Sequence, residues 1–290
     1  VFVDVDPDTL GMTTEGILNA ITDKTRGVFL SHIQGFNALT DELLDELKKR
    51  NIPLIEDVCE SHGATHNGQK CGSFGLMSNF SFYYAHHMTT IEGGMVCTNS
   101  KQVYETVRML RSHGMVRELS DDNLKTEYKT QNPELNPDFI FAHAAYNMRN
   151  NELGGILGRK QLTKLDENVK LRNDNHHRFL SKLDSSKYVT SFKLLGASNY
   201  AFNLILRNKD DDLVNRLMDT MRKEGIEFRR GSAGGGNQLR QPYLRGVVPE
   251  GHYKNYPNTD HIHFYGFYIG NFPSMTFDEI DEITDILNKV

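Results

Sequence analysis

The feature that narrows the fold most is an alternation of strand-like and helix-like runs in the first third of the chain. Val28-Phe29-Leu30 is a short apolar run ending in Ser31-His32. A helix follows from a cap at Thr40, with Leu43, Leu44 and Leu47 on one face, and Ile52-Pro53-Leu54-Ile55 is the next strand, stopping at Glu56-Asp57. Two strands joined through a helix pair in parallel, and in an open parallel sheet functional groups gather just past the C-terminal ends of the strands. Asp57 is therefore well placed for chemistry, although an aspartate after a strand is by itself more often a cap or a turn residue.

The remaining pattern divides the chain in two. Phe80 to Tyr84 is strand-like and aromatic, and Gly94 to Thr98 closes a turn begun at Gly93. From Asn151 to about Leu183 runs one long helical pattern rich in Leu, Lys, Arg and Glu. Beyond it come a strand at Phe202–Leu206, a helix from Leu213 to Glu224 stopped by Gly225, a strand at Ile226–Phe228 and an amphipathic closing helix from Phe277 to Val290. This predicts a large α/β domain over 1–178, ending in the long connecting helix, and a small α+β domain over 179–290. The chain opens directly in the strand-like run Val1 to Asp6, with no methionine start or signal peptide, and reads as the interior of a longer protein.

Composition excludes several classes. With 38% hydrophobic and 24% charged residues and a formal charge of -5 of interspersed sign, the chain is globular and shows no nucleic-acid or membrane surface. No apolar run is long enough to cross a bilayer. Cys59, Cys71 and Cys97 form no CxxC pair and no metal-ligand spacing, which reads as reduced thiols of a cytoplasmic protein and implies no metal site.

The motifs around Asp57 go further. Leu54-Ile55-Glu56-Asp57-Val58-Cys59-Glu60-Ser61-His62-Gly63-Ala64 continues into Gly72-Ser73-Phe74-Gly75, Phe80-Ser81-Phe82 and Glu92-Gly93-Gly94. In order and approximate spacing these resemble the DegT/StrS family of nucleotide-sugar aminotransferases over essentially the whole chain. The resemblance implies a fold-type I pyridoxal-phosphate architecture, a mostly parallel sheet with helices on both faces. It gives Asp57 to the pyridine nitrogen, whose protonation makes the ring an electron sink, and Ser81 to the cofactor phosphate. Glu60 stands where relatives often carry glutamine, near the ring. His62 is either a partner behind the site or a satisfied core histidine.

The family's lysine belongs five residues after Ser81, and that position is His86; no lysine occurs between Lys70 and Lys101. Imidazole cannot bond to the cofactor aldehyde as a lysine amine does, so the resemblance implies a noncovalently held pyridoxal or pyridoxamine phosphate. Relatives with histidine here are 3-dehydratases of 4-keto-6-deoxy sugar nucleotides. One kind acts on a CDP-linked sugar and carries an iron–sulfur cluster, which needs about four thiolates; this chain has three cysteines. The other kind takes a GDP-linked sugar without a cluster, serves dideoxysugar and O-antigen biosynthesis, and uses L-glutamate to restore the cofactor amine. The pattern is similar to the second, with His86 as the base. His87 is the rival base, which strand alternation would turn to the opposite face.

Tyr146-Asn147-Met148-Arg149, before Glu152 and Gly154-Gly155, resembles the family segment that reaches a partner subunit's cofactor phosphate. It implies a homodimer with shared sites, in which Asn147 and Arg149 are phosphate donors; without the match they would be a cap and a surface charge. The glycines Gly234 to Gly236 mark a loop near the sugar nucleotide, and the family's backbone phosphate cradle falls upstream of Val1. An aminotransferase, which the missing lysine opposes, and a non-catalytic homologue on the same scaffold are the competing readings.

Overall fold

A computed structural model describes all 290 residues. In chain order the elements are α1 (Thr14–Ala20), β1 (Val28–Ser31), α2 (Asp41–Lys49), β2 (Leu54–Asp57), β3 (Thr65–His66), β4 (Gln69–Lys70), β5 (Met77–Ser81), β6 (Gly94–Cys97), α3 (Lys101–Leu110), α4 (Asp122–Gln131), α5 (Glu152–Leu162), α6 (Leu165–Lys182), β7 (Ala201–Ile205), α7 (Asp211–Lys223), β8 (Phe228–Arg230), α8 (Pro257–Tyr265), β9 (Gly266–Gly270) and α9 (Phe277–Asn288). One sheet has the order β1-β2-β5-β6 and another β7-β9-β8, with β3 and β4 forming a separate hairpin.

The predicted parallel pair is present: Val28 to Ser31 pair in register with Leu54 to Asp57. The crossover helix α2 starts where Thr40 Oγ1 accepts the Leu43 N–H at 3.1 Å, and it buries Leu43 and Leu47. β5 continues the parallel order against β2, and β6 returns antiparallel. Glu56, fully buried on the interior strand β2, ties down the loop that follows β4. It accepts the N–H groups of Gly72, Phe74 and Gly75 at 2.6 to 2.8 Å and faces His32 at 3.3 Å. Burial alone would raise its pKa, but the His32 contact and those three donors hold it below the usual carboxylate range.

Several predicted boundaries shift. Val1 to Asp6 is no strand; only Val5 bridges Met12. The aromatic run Phe80–Tyr84 leaves the sheet at Ser81, the last residue that β6 pairs, so Tyr83 to His86 form a turn rather than a strand. The long helix from 151 is two helices, parted at Thr163-Lys164, where the Thr163 hydroxyl bonds back to the Lys160 carbonyl. Ile226 gives its N–H to the Met221 carbonyl and Gly225, at φ 71°, its own to Arg222, a closure that spends Ile226 on ending α7 and delays β8 to Phe228. The β3–β4 hairpin, turning at Asn67-Gly68, carries a recognisable Asn-Gly signal that the strand reading passed over.

The four-stranded sheet lies within 1–178 and the three-stranded sheet within 179–290, while α6 crosses that boundary. The larger apolar core packs α6, α7 and α9 around β7 and β9, with Phe179 stacked on Phe202 at 4.5 Å, and it also takes in Leu10 and Phe36. Segments flanking the four-stranded sheet are therefore anchored in the core of the other sheet, while Val28, Leu30 and Leu54 pack in a separate cluster. At this seam the backbone of Gly35 lies so close to Ser198 that a Cβ would fall 1.8 Å from the Ser198 carbonyl oxygen, and its φ of 93° independently demands glycine.

Candidate active site

The C-terminal ends of β1, β2 and β5 bring the predicted residues to one place. Asp57, the last residue of β2, lies beside Ser31 of β1 and Asn79 of β5. Its Oδ1 accepts the Cys59 N–H and the Asn79 side-chain amide, each at 3.0 Å, which fixes the carboxylate and leaves Oδ2 without a donor from this chain. Cys59 beside it is an inert thiol, its pKa pushed up to about 12 by burial and by Asp57. Glu60 accepts the Gln34 N–H at 3.1 Å, and burial, with the Asp57 charge adding to it, lifts its pKa to about 7.

Ser81 ends β5, and its hydroxyl accepts the Tyr83 N–H at 3.3 Å. The turn that follows carries His86 back over the sheet end: its Nδ1 donates a long hydrogen bond, 3.4 Å, to the Ser81 carbonyl. That contact puts the proton on Nδ1 and leaves Nε2 as the basic atom. Tyr83 and Tyr200 stand edge-on to the ring at 5.5 and 5.6 Å. Burial lowers the His86 pKa; the Ser81 carbonyl and Asp57 oppose the shift, Arg172 adds to it, and Glu92 opposes it more weakly.

Beneath His86 lies His62. It is 3% exposed, and neither ring nitrogen has a partner. Phe80, Phe82, His86 and His87 surround it at 5.6 to 6.5 Å between ring centroids. Neither sequence reading of His62 describes this, since it is a core histidine but an unsatisfied one. Burial, reinforced by His86, takes its pKa down to about 4, so it is a neutral aromatic ring at physiological pH.

Asn147 and Arg149 are not gathered here. Both are exposed, Arg149 Nε donates to Asn147 Oδ1 at 3.1 Å, and neither bonds to Asp57, Glu60, Ser81 or His86 in its own chain. Sequence reasoning missed Tyr200, which lies in a loop before β7 and carries no motif, and Tyr83. It did not single out Arg229 either. Arg229 pairs across β8 and β9 with Tyr268, and hydrogen bonding to Tyr268 raises its pKa, with Tyr83 adding to that. Gly234, Gly235 and Gly236 all adopt positive φ, and Gly236 packs on His263.

The donor set fits a phosphorylated pyridine. One carboxylate oxygen is free at a strand end, a hydroxyl stands at the neighbouring strand end, and no lysine occurs in the sequence between Lys70 and Lys101. No group of three or more His, Cys, Asp or Glu is arranged to hold a metal ion, and no helix is long and apolar enough to cross a membrane.

Comparison with known proteins agrees with this geometry. GDP-4-keto-6-deoxy-D-mannose 3-dehydratase of Escherichia coli O55:H7 is 32% identical over 287 residues, 99% of this chain and 73% of that protein. A solved Escherichia coli GDP-4-keto-6-deoxy-D-mannose-3-dehydratase with bound hydrated pyridoxal phosphate superposes with a TM-score of 0.86 at 31% identity, over 99% of this chain and 73% of that one. A structure of the GDP-4-keto-6-deoxymannose-3-dehydratase holding a trapped pyridoxal phosphate–glutamate geminal diamine gives 0.85 at 29% identity, over 99% and 74%. The model of the DegT/DnrJ/EryC1/StrS aminotransferases matches residues 1–288, and the chain belongs to that family.

Proposed function

We propose that this chain catalyses the 3-dehydration of GDP-4-keto-6-deoxy-D-mannose, with noncovalent pyridoxamine phosphate as cofactor and L-glutamate as the amino donor that restores it. The observation that carries the reading is His86: an imidazole with a bare Nε2 in the family's lysine position, beside Asp57 and Ser81 at the neighbouring strand ends. When bound, the cofactor supplies an amine for the sugar's C4 ketone, an acidic hydrogen at its own C4′ and a ring that takes up electrons and releases them to expel the C3 hydroxyl.

The protein's part is positioning and proton transfer. Asp57 Oδ2 keeps the pyridine nitrogen protonated, with Oδ1 held by Cys59 and Asn79 so that the carboxylate cannot turn away. Ser81 donates to the phosphate, and Glu60 sits by the ring. Nε2 of His86 takes up the C4′ proton and passes a proton to the departing C3 hydroxyl, which leaves as water. A lysine amine at this point would compete for the cofactor and favour transamination, whereas imidazole only shuttles the proton. Incubation with GDP- and CDP-linked 4-keto-6-deoxy sugars in the presence of L-glutamate tests the nucleotide. Consumption of the GDP-linked sugar carries the reading, and consumption of the CDP-linked sugar alone contradicts it.

The working unit in this reading is a homodimer with shared sites. α5 has 11 residues, of which only Gly154 is buried, and it exposes Leu153, Ile156, Leu157 and Leu162 beside exposed Tyr146 and Met148. So short a helix gains little stability of its own in water and needs a surface to pack on. Covering that face with a second copy would carry Asn147 and Arg149 to the partner's phosphate. Mixing an Asn147→Ala/Arg149→Ala variant with a His86→Asn variant is expected to restore part of the activity, because one site in each heterodimer regains both base and phosphate donors. No recovery, with subunit exchange confirmed by mass, would confine both residues to their own subunit.

A further inference from the structure

The mechanism leaves a buried ionisable group adjacent to the base in sequence unused. His87 is 4% exposed, and its Nε2 lies 3.0 Å from the Ser198 carbonyl, 3.1 Å from the Asn199 carbonyl and 3.1 Å from Ser198 Oγ. The Ser198 hydroxyl spends its own hydrogen on the His62 carbonyl at 2.6 Å, so toward His87 it can only accept. All three neighbours of Nε2 are therefore acceptors, and Nε2 must carry the proton. Nδ1 has no partner at all, and a second proton there would be a buried, unpaired donor.

From these contacts we propose that His87 is a positioning residue for His86: a neutral imidazole, fixed as the Nε2–H tautomer, that bolts the catalytic turn to the segment Ser198–Tyr200. The inference rests on the reading of His86 as the base. The bolt acts on His86 from two sides. It anchors the turn through the adjacent residue, and it fixes the strand entry that carries Tyr200, whose ring stands edge-on to His86 at 5.6 Å. The same segment is tied down independently. The Ser198 N–H reaches the Gly35 carbonyl at 2.8 Å, Arg172 bonds the Tyr200 carbonyl at 3.0 Å, and Asn173 accepts the Asn199 N–H at 2.7 Å. His87 thus joins the turn after β5 to a fixed frame made by the β1 loop and α6.

The ionisable groups facing His87 agree with a neutral ring. Arg172 comes from α6, His62 from the loop after β2, and Tyr200 from the anchored segment itself. Burial first, then Arg172 and His62, hold the His87 pKa well below its ordinary value, while the two carbonyls it bonds work weakly the other way.

Two variants and a spectrum test the proposal in the holoenzyme. His87→Gln keeps an N–H at the end of a side chain of similar reach, and His87→Leu keeps the bulk without the donor. His87→Leu is expected to retain fold and cofactor binding, read by near-ultraviolet dichroism and cofactor absorbance. Its kcat should fall by roughly 10²-fold, the usual consequence of misplacing a reacting group by about 1 Å. Loosening the turn admits water to His86, so the acidic limb of kcat/KM should rise toward the ordinary imidazole value, with Asp57, Arg172 and Glu92, the charges facing His86, unchanged. His87→Gln should restore both readouts. In the wild-type protein, long-range nitrogen–proton NMR correlations should show His87 as the Nε2–H tautomer, with no titration through the ordinary imidazole range at about 6.5. An Nδ1–H tautomer, a His87 that titrates near neutrality, or a His87→Leu enzyme with wild-type kcat and pH profile would each overturn the bolt. Wild-type activity in His86→Asn would overturn the reading of His86 beneath it, and the spectrum, which does not depend on activity, tells that failure from the first.

Discussion

Replacing His86 with asparagine is expected to slow dehydration about 10²–10⁴-fold, the usual contribution of a positioned general base. Asparagine keeps a polar side chain of similar size in the turn, so the Ser81 carbonyl and the Tyr83 and Tyr200 rings need not move, but it offers no basic atom where Nε2 stands. Replacing His86 with lysine should do something different in kind. The amine would stand at the site with Asp57 and Ser81 unchanged, so borohydride should fix pyridoxal phosphate to the variant and leave the wild type unlabelled, and dehydration should be abolished. The pH dependence follows from the same atom. Burial depresses the His86 pKa, so the base stays neutral to lower pH and the acidic limb of kcat/KM should lie below the ordinary imidazole value of about 6.5. A lysine variant that neither traps cofactor nor loses turnover would remove His86 from the reaction centre.

The second large effect is expected at Asp57. Asparagine at this position keeps the acceptor for the Cys59 N–H and the Asn79 amide, so the strand end and the fold should persist, which thermal unfolding can verify. What it loses is the negative charge that the proposed reading sets against the pyridine nitrogen. Without that charge the ring is unprotonated and a weak electron sink. Turnover should then fall severely, by an amount comparable to the loss of the base, while cofactor absorbance shows the ring still bound. A variant with wild-type rates and normally bound cofactor would mean that another group protonates the ring.

How much of this was legible in the sequence differs between elements for physical reasons. β1, α2 and β2 were readable because a parallel pair with an intervening helix writes apolar strands and a capped amphipathic helix into short, contiguous segments. Asp57 was readable because it ends a strand, whereas Ser81 and His86 were readable through the family resemblance. The turn from Ser81 to His86 was not, since the aromatic run Phe80–Tyr84 has strand propensity throughout and only the limit of β6 pairing ends the strand. The separation of His86 from His87 was expected for the wrong reason. The residues do face different partners, but in a turn, where strand alternation does not apply. Tyr200, Ser198 and Asn199 could not be found at all, because their role is set by contacts with residues more than a hundred positions away. Asn147 and Arg149 were legible only through the family match, and within one chain they remain at the surface.

The central claim is that histidine in the lysine position turns an aminotransferase scaffold to removal of the C3 hydroxyl. Mass spectrometry of the sugar nucleotide after incubation with GDP-4-keto-6-deoxy-D-mannose, pyridoxal phosphate and L-glutamate tests it most directly. The oxygen at C3 leaves as water, the electrons come from the cofactor amine, its nitrogen is released as ammonia, and glutamate restores the amine. The account therefore predicts a product lighter than the substrate by one oxygen atom, with the C4 ketone retained. A product that keeps the C3 oxygen and carries nitrogen in place of the ketone oxygen, or a substrate returned unchanged, would contradict it.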